Sequence, residues 1–169
     1  MGTLLEEAGK TLTPSPLFAT GLIGASLLEL AGNSEQKSEY LPKLVEGNLT
    51  TAFALEEGTR HAPNNISTEA KKDGDEFVLN GNKTFVLDGH SADLIIVAAR
   101  TAGEAADKSG ISLFCLDSNT DGLEVKKVSM LDSRNSAEVN LVDVKISASN
   151  LLGELGNGFA VIEEVLNRA

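Results

Sequence analysis

Two adjacent carboxylates, Glu56 and Glu57, and the nearby His61 are the residues of this 169-residue chain whose types most suggest chemistry. Two carboxylates can hydrolyse a glycosidic bond only when they flank it, and neighbours in one strand point to opposite faces. His61 and His90 lack ligand-like spacing to Cys115 or to a carboxylate cluster, so no metal site is predicted. From residue types alone, solvated loop charges are the simpler interpretation of Glu56 and Glu57.

Two further patterns favour a structural role over catalysis. Gly153, Gly156 and Gly158 lack the preceding strand and the βαβ unit of a dinucleotide-binding loop, and we expect them to turn the chain into its last helix. Cys115 lies in the apolar run 111–116, which predicts a small core residue rather than a reactive thiol.

The composition is that of a globular chain, with 41% hydrophobic and 23% charged residues. The formal net charge of -11 disfavours nucleic acid and anionic membranes as partners, because both bind through clustered Lys and Arg. A single cysteine indicates a reducing compartment, and neither a secretory signal nor a membrane span is recognisable. We therefore expect a cytoplasmic protein.

The first 48 residues carry three helical patterns. Residues 3–6 have capping-box spacing and predict the start of a short amphipathic helix. A second helix is predicted to begin after Ser15, with proline at its first position, and to stop at Gly32. The third begins at residue 33 or 34, with a glutamine spaced for a cap, and stops at Gly47. Pro42 is expected to kink or shorten its last turn.

After Gly47 the apolar period changes to two, which is typical of an antiparallel sandwich or barrel. Asn80-Gly81 predicts a type I′ hairpin turn, and Asp73-Gly74 offers the same turn chemistry one strand earlier. Residues 102–110 predict an exposed hairpin loop. The predicted strands cover residues 51–55, 66–71, 76–79, 83–87, 94–99, 111–116, 123–128 and 138–146.

From Gly158 the pattern is helical again, and its apolar stripe is still running at Ala169. A helix with an unpartnered apolar face and no stop signal looks cut. We therefore expect a fragment of a longer protein.

Several short segments follow one another in a recognisable order. Residues 41–47 read LPKLVEG, residues 51–57 read TAFALEE, and residues 72–89 read KDGDEFVLNGNKTFVLDG. Later segments are LDSR at 131–134, VDVKI at 142–146 and NLLGELGNGF at 150–159. In this order they resemble the acyl-CoA dehydrogenases, and the resemblance covers nearly the whole chain.

This resemblance implies an α+β fold in three parts. Residues 1–48 would end an N-terminal helical domain, residues 49–149 would form the middle β-domain as an antiparallel sandwich or barrel, and residues 150–169 would start a truncated C-terminal helical domain. It also implies FAD as cofactor, an acyl-CoA substrate and electron-transfer flavoprotein as a partner of the full-length protein, which would be a homo- or hetero-oligomer.

In the family, a glutamate of the C-terminal domain removes the α proton of the acyl-CoA and the β hydride passes to the flavin. Where some branches place this glutamate before an arginine, the chain has Asn167 before Arg168. An amide is not a useful base, so we expect no catalytic residue here.

The family's flavin-facing positions are largely altered in this chain. Glu56 replaces a hydroxyl donor near the flavin pyrimidine, His61 and Ala62 replace the glycine and serine that approach the pyrophosphate, and Leu87 replaces a threonine near N5. Negative charge collects on the flavin pyrimidine when the flavin is reduced, and the Glu56 carboxylate would repel it. Two unit charges about 4 Å apart repel by roughly 4 kcal/mol at an effective dielectric of about 20, so a flavin bound in the usual way would be harder to reduce. The predicted cofactor-binding set is Phe53, Leu55, Glu56, Arg60, His61, Ala62, Phe85 and Leu87.

Three hypotheses follow from the sequence. The first is a fragment of an FAD-dependent acyl-CoA dehydrogenase that is inactive alone. The second is a non-flavin structural subunit of a hetero-oligomeric acyl-CoA dehydrogenase, in which the cofactor cleft is degenerate. The third, if both ends are natural, is a stand-alone β-sandwich binding module.

Overall fold

The computed structural model describes residues 2–132 and 134–169, so Ser133 of the LDSR segment lies outside the described residues. The helices are α1 (Gly2–Lys10), a π-helix (Leu17–Gly24), α2 (Ala25–Ala31), α3 (Ser34–Val45) and α4 (Gly158–Arg168). The strands are β1 (Thr51–Ala54), β2 (Glu69–Asp73), β3 (Glu76–Leu87), β4 (Leu94–Arg100), β5 (Ile111–Asp117), β6 (Leu123–Ser129), β7 (Asn135–Ser147) and β8 (Leu151–Leu152).

Capping explains the bounds of α3. Asn33 Oδ1 accepts from Gln36 N at 2.8 Å while Gln36 Oε1 accepts from Asn33 N at 3.1 Å, which is the capping arrangement predicted for this helix. The helix continues through Pro42 to Val45, and Gly47 follows with a φ of +75°. The predicted cap of α1 is wrong, because α1 begins at Gly2 and the capping-box threonine lies inside it.

The second predicted helix begins as a π-helix and continues as α2. Thr20 Oγ1 accepts from Thr51 N at 2.9 Å and donates to Thr51 O at 3.2 Å, so a side chain of the π-helix supplies the hydrogen bonds of a neighbouring strand. A Cβ atom at Gly24 would overlap the Thr51 hydroxyl. The π-helix therefore lies directly against the start of β1.

Among the described residues, eight strands form one sheet in the order β6-β7-β3-β2-β4-β5-β8, and β1 pairs with β4. The predicted α+β class is confirmed. Most pairs are antiparallel, as expected, but β1 and β2 run parallel to β4 and the sheet is not closed.

β4 separates two hydrophobic cores, which explains its continuous apolar sequence. Its odd-numbered residues, such as Ile95 and Val97, pack among the strands, and its even-numbered residues, such as Leu94 and Ile96, pack against the helices. Cys115 lies in the helix-facing core, and burial raises the pKa of its thiol to about 12. It is a core residue, as predicted.

The predicted hairpin at Asn80-Gly81 is wrong, because β3 runs without interruption from Glu76 to Leu87. The register between β3 and β7 shifts between Leu79 and Gly81. There Asn80 Oδ1 accepts from Asp143 N at 2.9 Å, so a side chain replaces a ladder partner. Gly81 fits because a side chain would overlap Thr68. The tight turn lies one strand earlier, between Asp73 and Glu76, where Gly74 has a φ of +60°.

Within residues 2–132 and 134–169, no helix is long and apolar enough to cross a membrane. Over the same residues, no group of three or more His, Cys, Asp and Glu side chains is placed to hold a metal ion.

Candidate functional site

A cavity of about 170 Å³ lies where the end of β1, the end of β3, the π-helix and the last residues of the chain meet. Six of the eight predicted cofactor-binding residues line it. The lining residues are Phe18, Ala19, Ile23, Phe53, Leu55, Glu56, His61, Phe85, Leu87, Leu166 and Ala169. Arg60 and Ala62 are not in this lining; Arg60 is exposed and Ala62 is half-buried in the loop beside the cavity.

A bulge near the end of β3 directs two of the apolar lining residues, Phe85 and Leu87, toward the cavity. Lys83 pairs with Val139 and Val86 with Ala137, so two residues of β3 lie opposite one residue of β7. Phe85, in this bulge, has a φ of +51°, which is uncommon for an aromatic residue.

The bulge changes which side of β3 is buried. Before it, odd-numbered residues such as Phe77 and Lys83 face the interior; after it, Val86 does. Phe85 and Leu87 are consequently 48% and 42% exposed. Without the bulge, the two-residue period would direct both side chains inward.

A buried ion pair is joined to the cavity wall through the carbonyl oxygen of Leu55. Lys83 Nζ donates to Glu57 Oε1 at 2.7 Å and to Leu55 O at 3.1 Å, and the Lys83 side chain is fully buried. Glu57 also accepts from Ser67 N at 2.6 Å and from Thr68 N at 2.9 Å. These bonds explain why β2 begins at residue 69, later than the predicted residue 66.

The two partners of this pair have shifted pKa values. Burial lowers the pKa of Lys83 to about 8, although the Glu57 carboxylate acts in the opposite direction. For Glu57, burial raises the pKa, but the Lys83 charge and hydrogen bonds from Lys83 and Thr68 outweigh it, so the net pKa is lowered. An isolated charge of either sign would be costly here.

Sequence reasoning missed Lys83. On a continuous strand, Lys83 shares the inward parity of Phe77 and Leu79, and that parity was the available signal. The predicted hairpin at Asn80-Gly81 divided this strand in two and assigned Lys83 to a different strand from Phe77 and Leu79. The shared parity of the three residues was therefore not recognised.

Glu56, the neighbour of Glu57, is engaged within its own loop. Its Oε1 lies 2.7 Å from His61 Nδ1, and its Oε2 accepts from Ala62 N at 3.1 Å. The Glu56 side chain is 20% exposed, whereas that of His61 is 68% exposed. Thr84 N donates to Glu56 O at 2.7 Å, which ties this loop to the β3 bulge.

Arg100 fixes the segment that follows the Glu56 loop. Its guanidinium is buried and donates to carbonyl oxygens rather than to carboxylates. The acceptors belong to Asn64, Ile66, Ala102, Ala105, Ser109 and Asp107, at 2.8–3.4 Å. These contacts join residues 64–66 to the loop between β4 and β5, which is mostly exposed, as predicted.

A larger groove of about 860 Å³ lies beside the cavity, between α1, the end of β3 and the start of β7. Leu5 and Leu12 of α1 line one side, and Asp88 and Asn135 line the other. Burial raises the pKa of Asp88 above its usual range, against a hydrogen bond with Asn135 and the charges of His90 and Arg134. Phe18, Leu87 and Ala169 line both cavities.

Residues 52–144 match the family model "Acyl-CoA dehydrogenase, middle domain". This match covers more than half of the chain, so the chain belongs to the acyl-CoA dehydrogenase family. The resemblance seen in the segment order is thereby confirmed.

Three proteins illustrate the similarity. The 3-(aryl)acrylate reductase of Clostridium sporogenes is 34% identical over 173 residues, which cover 98% of this chain and 45% of that protein. The crystal structure of an acyl-CoA dehydrogenase from Geobacillus kaustophilus has a TM-score of 0.82 and 40% identity over 91% of this chain and 43% of that one. The ChsE4-ChsE5 complex from Mycobacterium tuberculosis contains a chain with a TM-score of 0.87 and 26% identity, over 98% of this chain and 43% of that one. This chain spans less than half the length of each.

Proposed function

We propose that this chain contributes the β-domain wall of the flavin cleft in an FAD-dependent acyl-CoA dehydrogenase, and that it has no dehydrogenase activity alone. The observation that carries the proposal is the gathering of Phe53, Leu55, Phe85 and Leu87 around one cavity. These residues come from two separate segments of the chain, and the β3 bulge turns two of them out of the core.

The residues of the cavity fit one part of FAD and not another. The apolar side chains Phe53, Leu55, Phe85 and Leu87 suit contact with a flat aromatic ring. The polar end of the cavity, formed by the loop of Glu56, His61 and Ala62, does not suit the phosphates of FAD. The Ala62 amide and the His61 imidazole already interact with Glu56. The chain therefore offers a ring-binding wall, whereas these two donors of the loop are already engaged by Glu56.

When bound in such an enzyme, FAD would accept the β hydride of the acyl-CoA thioester. This chain's contribution is to hold the flavin ring against the apolar cavity wall and to keep water from one face of the ring. It does not supply the proton acceptor in our proposal. Asn167 is an amide, and Arg168 is paired with Glu164 at 3.1 Å and with Glu29 at 3.4 Å.

Riboflavin binding tests the ring-binding wall directly, because riboflavin carries the ring without phosphates. We expect the chain to quench riboflavin fluorescence on binding and Phe85→Ala to weaken that binding at least fivefold. Val142→Ala is the matched control, because Val142 is 61% exposed on β7 and does not line the cavity. Equal affinities in all three proteins would count against the proposal.

A turnover assay tests the second half of the proposal. The chain mixed with FAD, an acyl-CoA and an artificial electron acceptor should give no product above the protein-free background. Measurable dehydrogenation would show that a proton acceptor lies within these 169 residues.

A second candidate function is that of a structural subunit without flavin, paired with an active paralogue. The engaged Glu56 carboxylate favours it, and so does the similarity to a chain of the ChsE4-ChsE5 complex. Purification of the full-length protein from its source distinguishes the two candidates. Stoichiometric flavin in that protein would exclude the second, and a colourless protein that copurifies with a related subunit would favour it.

A further inference from the structure

The position of Glu56 is unusual for a carboxylate on the wall of a largely apolar cavity. Its side chain is four-fifths covered, and both of its oxygens have partners inside a single loop. A solvated surface glutamate, the interpretation favoured by residue type, would leave both oxygens to water. Here the side chain folds back onto residues 61 and 62.

The two partners of Glu56 are groups that can bind anions. A backbone N–H and an imidazole N–H both donate to phosphate as readily as to a carboxylate, and hydrogen bonds to a charged acceptor are about twice as strong as neutral ones. The His61 Nδ1 and the Ala62 amide contact the two oxygens of one group, the Glu56 carboxylate, which lies between them.

The surrounding hydrogen bonds hold Glu56 in this position. Thr84 N and Thr84 Oγ1 donate to Glu56 O and Gly58 O, at 2.7 and 3.1 Å, so the loop backbone is bound to the β3 bulge. At the next residue, Glu57 is fixed by Lys83. The backbone of Glu56 is thus anchored on both sides, and the carboxylate reaches the loop donors without further ordering of the chain.

We propose that the Glu56 carboxylate is an internal ligand that occupies the anion-binding donors of residues 61–62 and so excludes a phosphate group from the polar end of the cavity. This inference rests on the proposed function, since it assigns that loop to the phosphate side of a nucleotide ligand. It makes the cavity selective for the aromatic part of such a ligand over its charged part.

Two probes separate the two ends of the cavity. ADP carries a pyrophosphate without the flavin ring, and riboflavin carries the ring without phosphate. We would titrate each into the wild-type chain and into Glu56→Gln, Glu56→Ala and Glu124→Gln by calorimetry. Glu124 is an exposed glutamate on β6 outside both cavities, so its replacement removes the same charge without touching the loop.

The expected result is that Glu56→Gln and Glu56→Ala bind ADP at least tenfold more tightly than the wild type and Glu124→Gln. Riboflavin affinity should agree within twofold between the wild type and Glu124→Gln, and any change in the two Glu56 variants should be smaller than their gain in ADP affinity. Circular dichroism and thermal melting establish that each variant is folded. Because Glu56→Ala removes every acceptor atom, it tests the inference even if the glutamine amide keeps its bond to Ala62.

Equal ADP affinity in the wild type and both Glu56 variants, or no ADP binding by any of them, would overturn the inference. Failure of all four proteins to bind riboflavin would overturn the proposed ring-binding wall instead. The two failures are therefore distinguishable in one set of titrations.

Discussion

Glu56 and Glu57 are adjacent and chemically identical, yet the structure gives them different environments. Glu57 points inward, where it joins the end of β1 to Lys83 of β3 and to the amides that precede β2. Glu56 points to the cavity and bonds only within its own loop through its carboxylate. Residue type and sequence position therefore do not distinguish a carboxylate held in a buried ion pair from one that faces a cavity; the direction of the side chain does.

The largest effect that tests this comparison is expected at Lys83. Replacing it with methionine leaves the mostly buried Glu57 carboxylate without its cation, and breaking a buried pair costs about 3–5 kcal/mol. Urea unfolding monitored by circular dichroism measures the loss. Glu56→Gln, one residue away from Glu57, should cost less than about 1 kcal/mol, and similar losses for the two variants would remove the distinction.

The pH dependence of stability should carry the signature of the same lysine. The folded-state pKa of Lys83, about 8, lies below the ordinary value of 10.5, so the unfolded chain binds more protons between these values. The free energy of unfolding should therefore gain a contribution on the order of 3 kcal/mol from Lys83 as the pH rises from about 8 to 10.5. Lys83→Met should lack this contribution, and unfolding titrations of both proteins at several pH values provide the check.

Glu57 should affect the free energy of unfolding at acidic pH. Its pKa is lowered in the folded state, so the stability it contributes is present above the ordinary carboxylate pKa and is lost as the pH falls through the lowered value. Glu57→Gln should flatten this acidic part of the profile. An unchanged profile in Glu57→Gln would contradict the assignment.

The close contact between Gly81 of β3 and Thr68, whose amide donates to Glu57, provides a further test. A methyl group at Gly81 would overlap Thr68, so Gly81→Ala should destabilise the chain by about 1–3 kcal/mol. Gly58→Ala is a suitable control, because a Cβ there meets only Arg60 N at 4.0 Å. Comparable melting temperatures for the two variants would argue against the close contact.

The smallest effect is expected at His61. Its side chain is 68% exposed, so His61→Ala should change the free energy of unfolding by less than about 0.5 kcal/mol. It also removes one of the two donors that hold the Glu56 carboxylate. ADP titration of this variant should give no gain approaching that of Glu56→Ala, because the carboxylate itself is still present.

The sequence predicted those parts of the fold whose signals are local. The apolar runs of β4 and β5 are buried on both sides, and the Asn33–Gln36 cap depends only on residues within one helical turn. The resemblance to the family supplied the predicted cofactor-binding set, and six of its eight residues line one cavity. Their role in binding FAD stays a prediction, as does the division of the chain at residues 48 and 149.

The features that were missed depend on distant partners. An Asn-Gly pair can form either a tight turn or a β-bulge. Here the irregularity in β3 is stabilised because Asp143 N donates to Asn80 Oδ1 and Gly81 leaves room for Thr68. The π-helix likewise lies against a residue distant in the sequence, because Gly24 at its end contacts Thr51. The turn of Glu56 onto residues 61 and 62 has no periodic signature at all, so only a three-dimensional structure reveals it.

Three residues, Phe18, Leu87 and Ala169, line both cavities. A change in any one of these side chains therefore alters the walls of both spaces at once. Shortening Leu87 would remove apolar surface from the groove as well as from the smaller cavity.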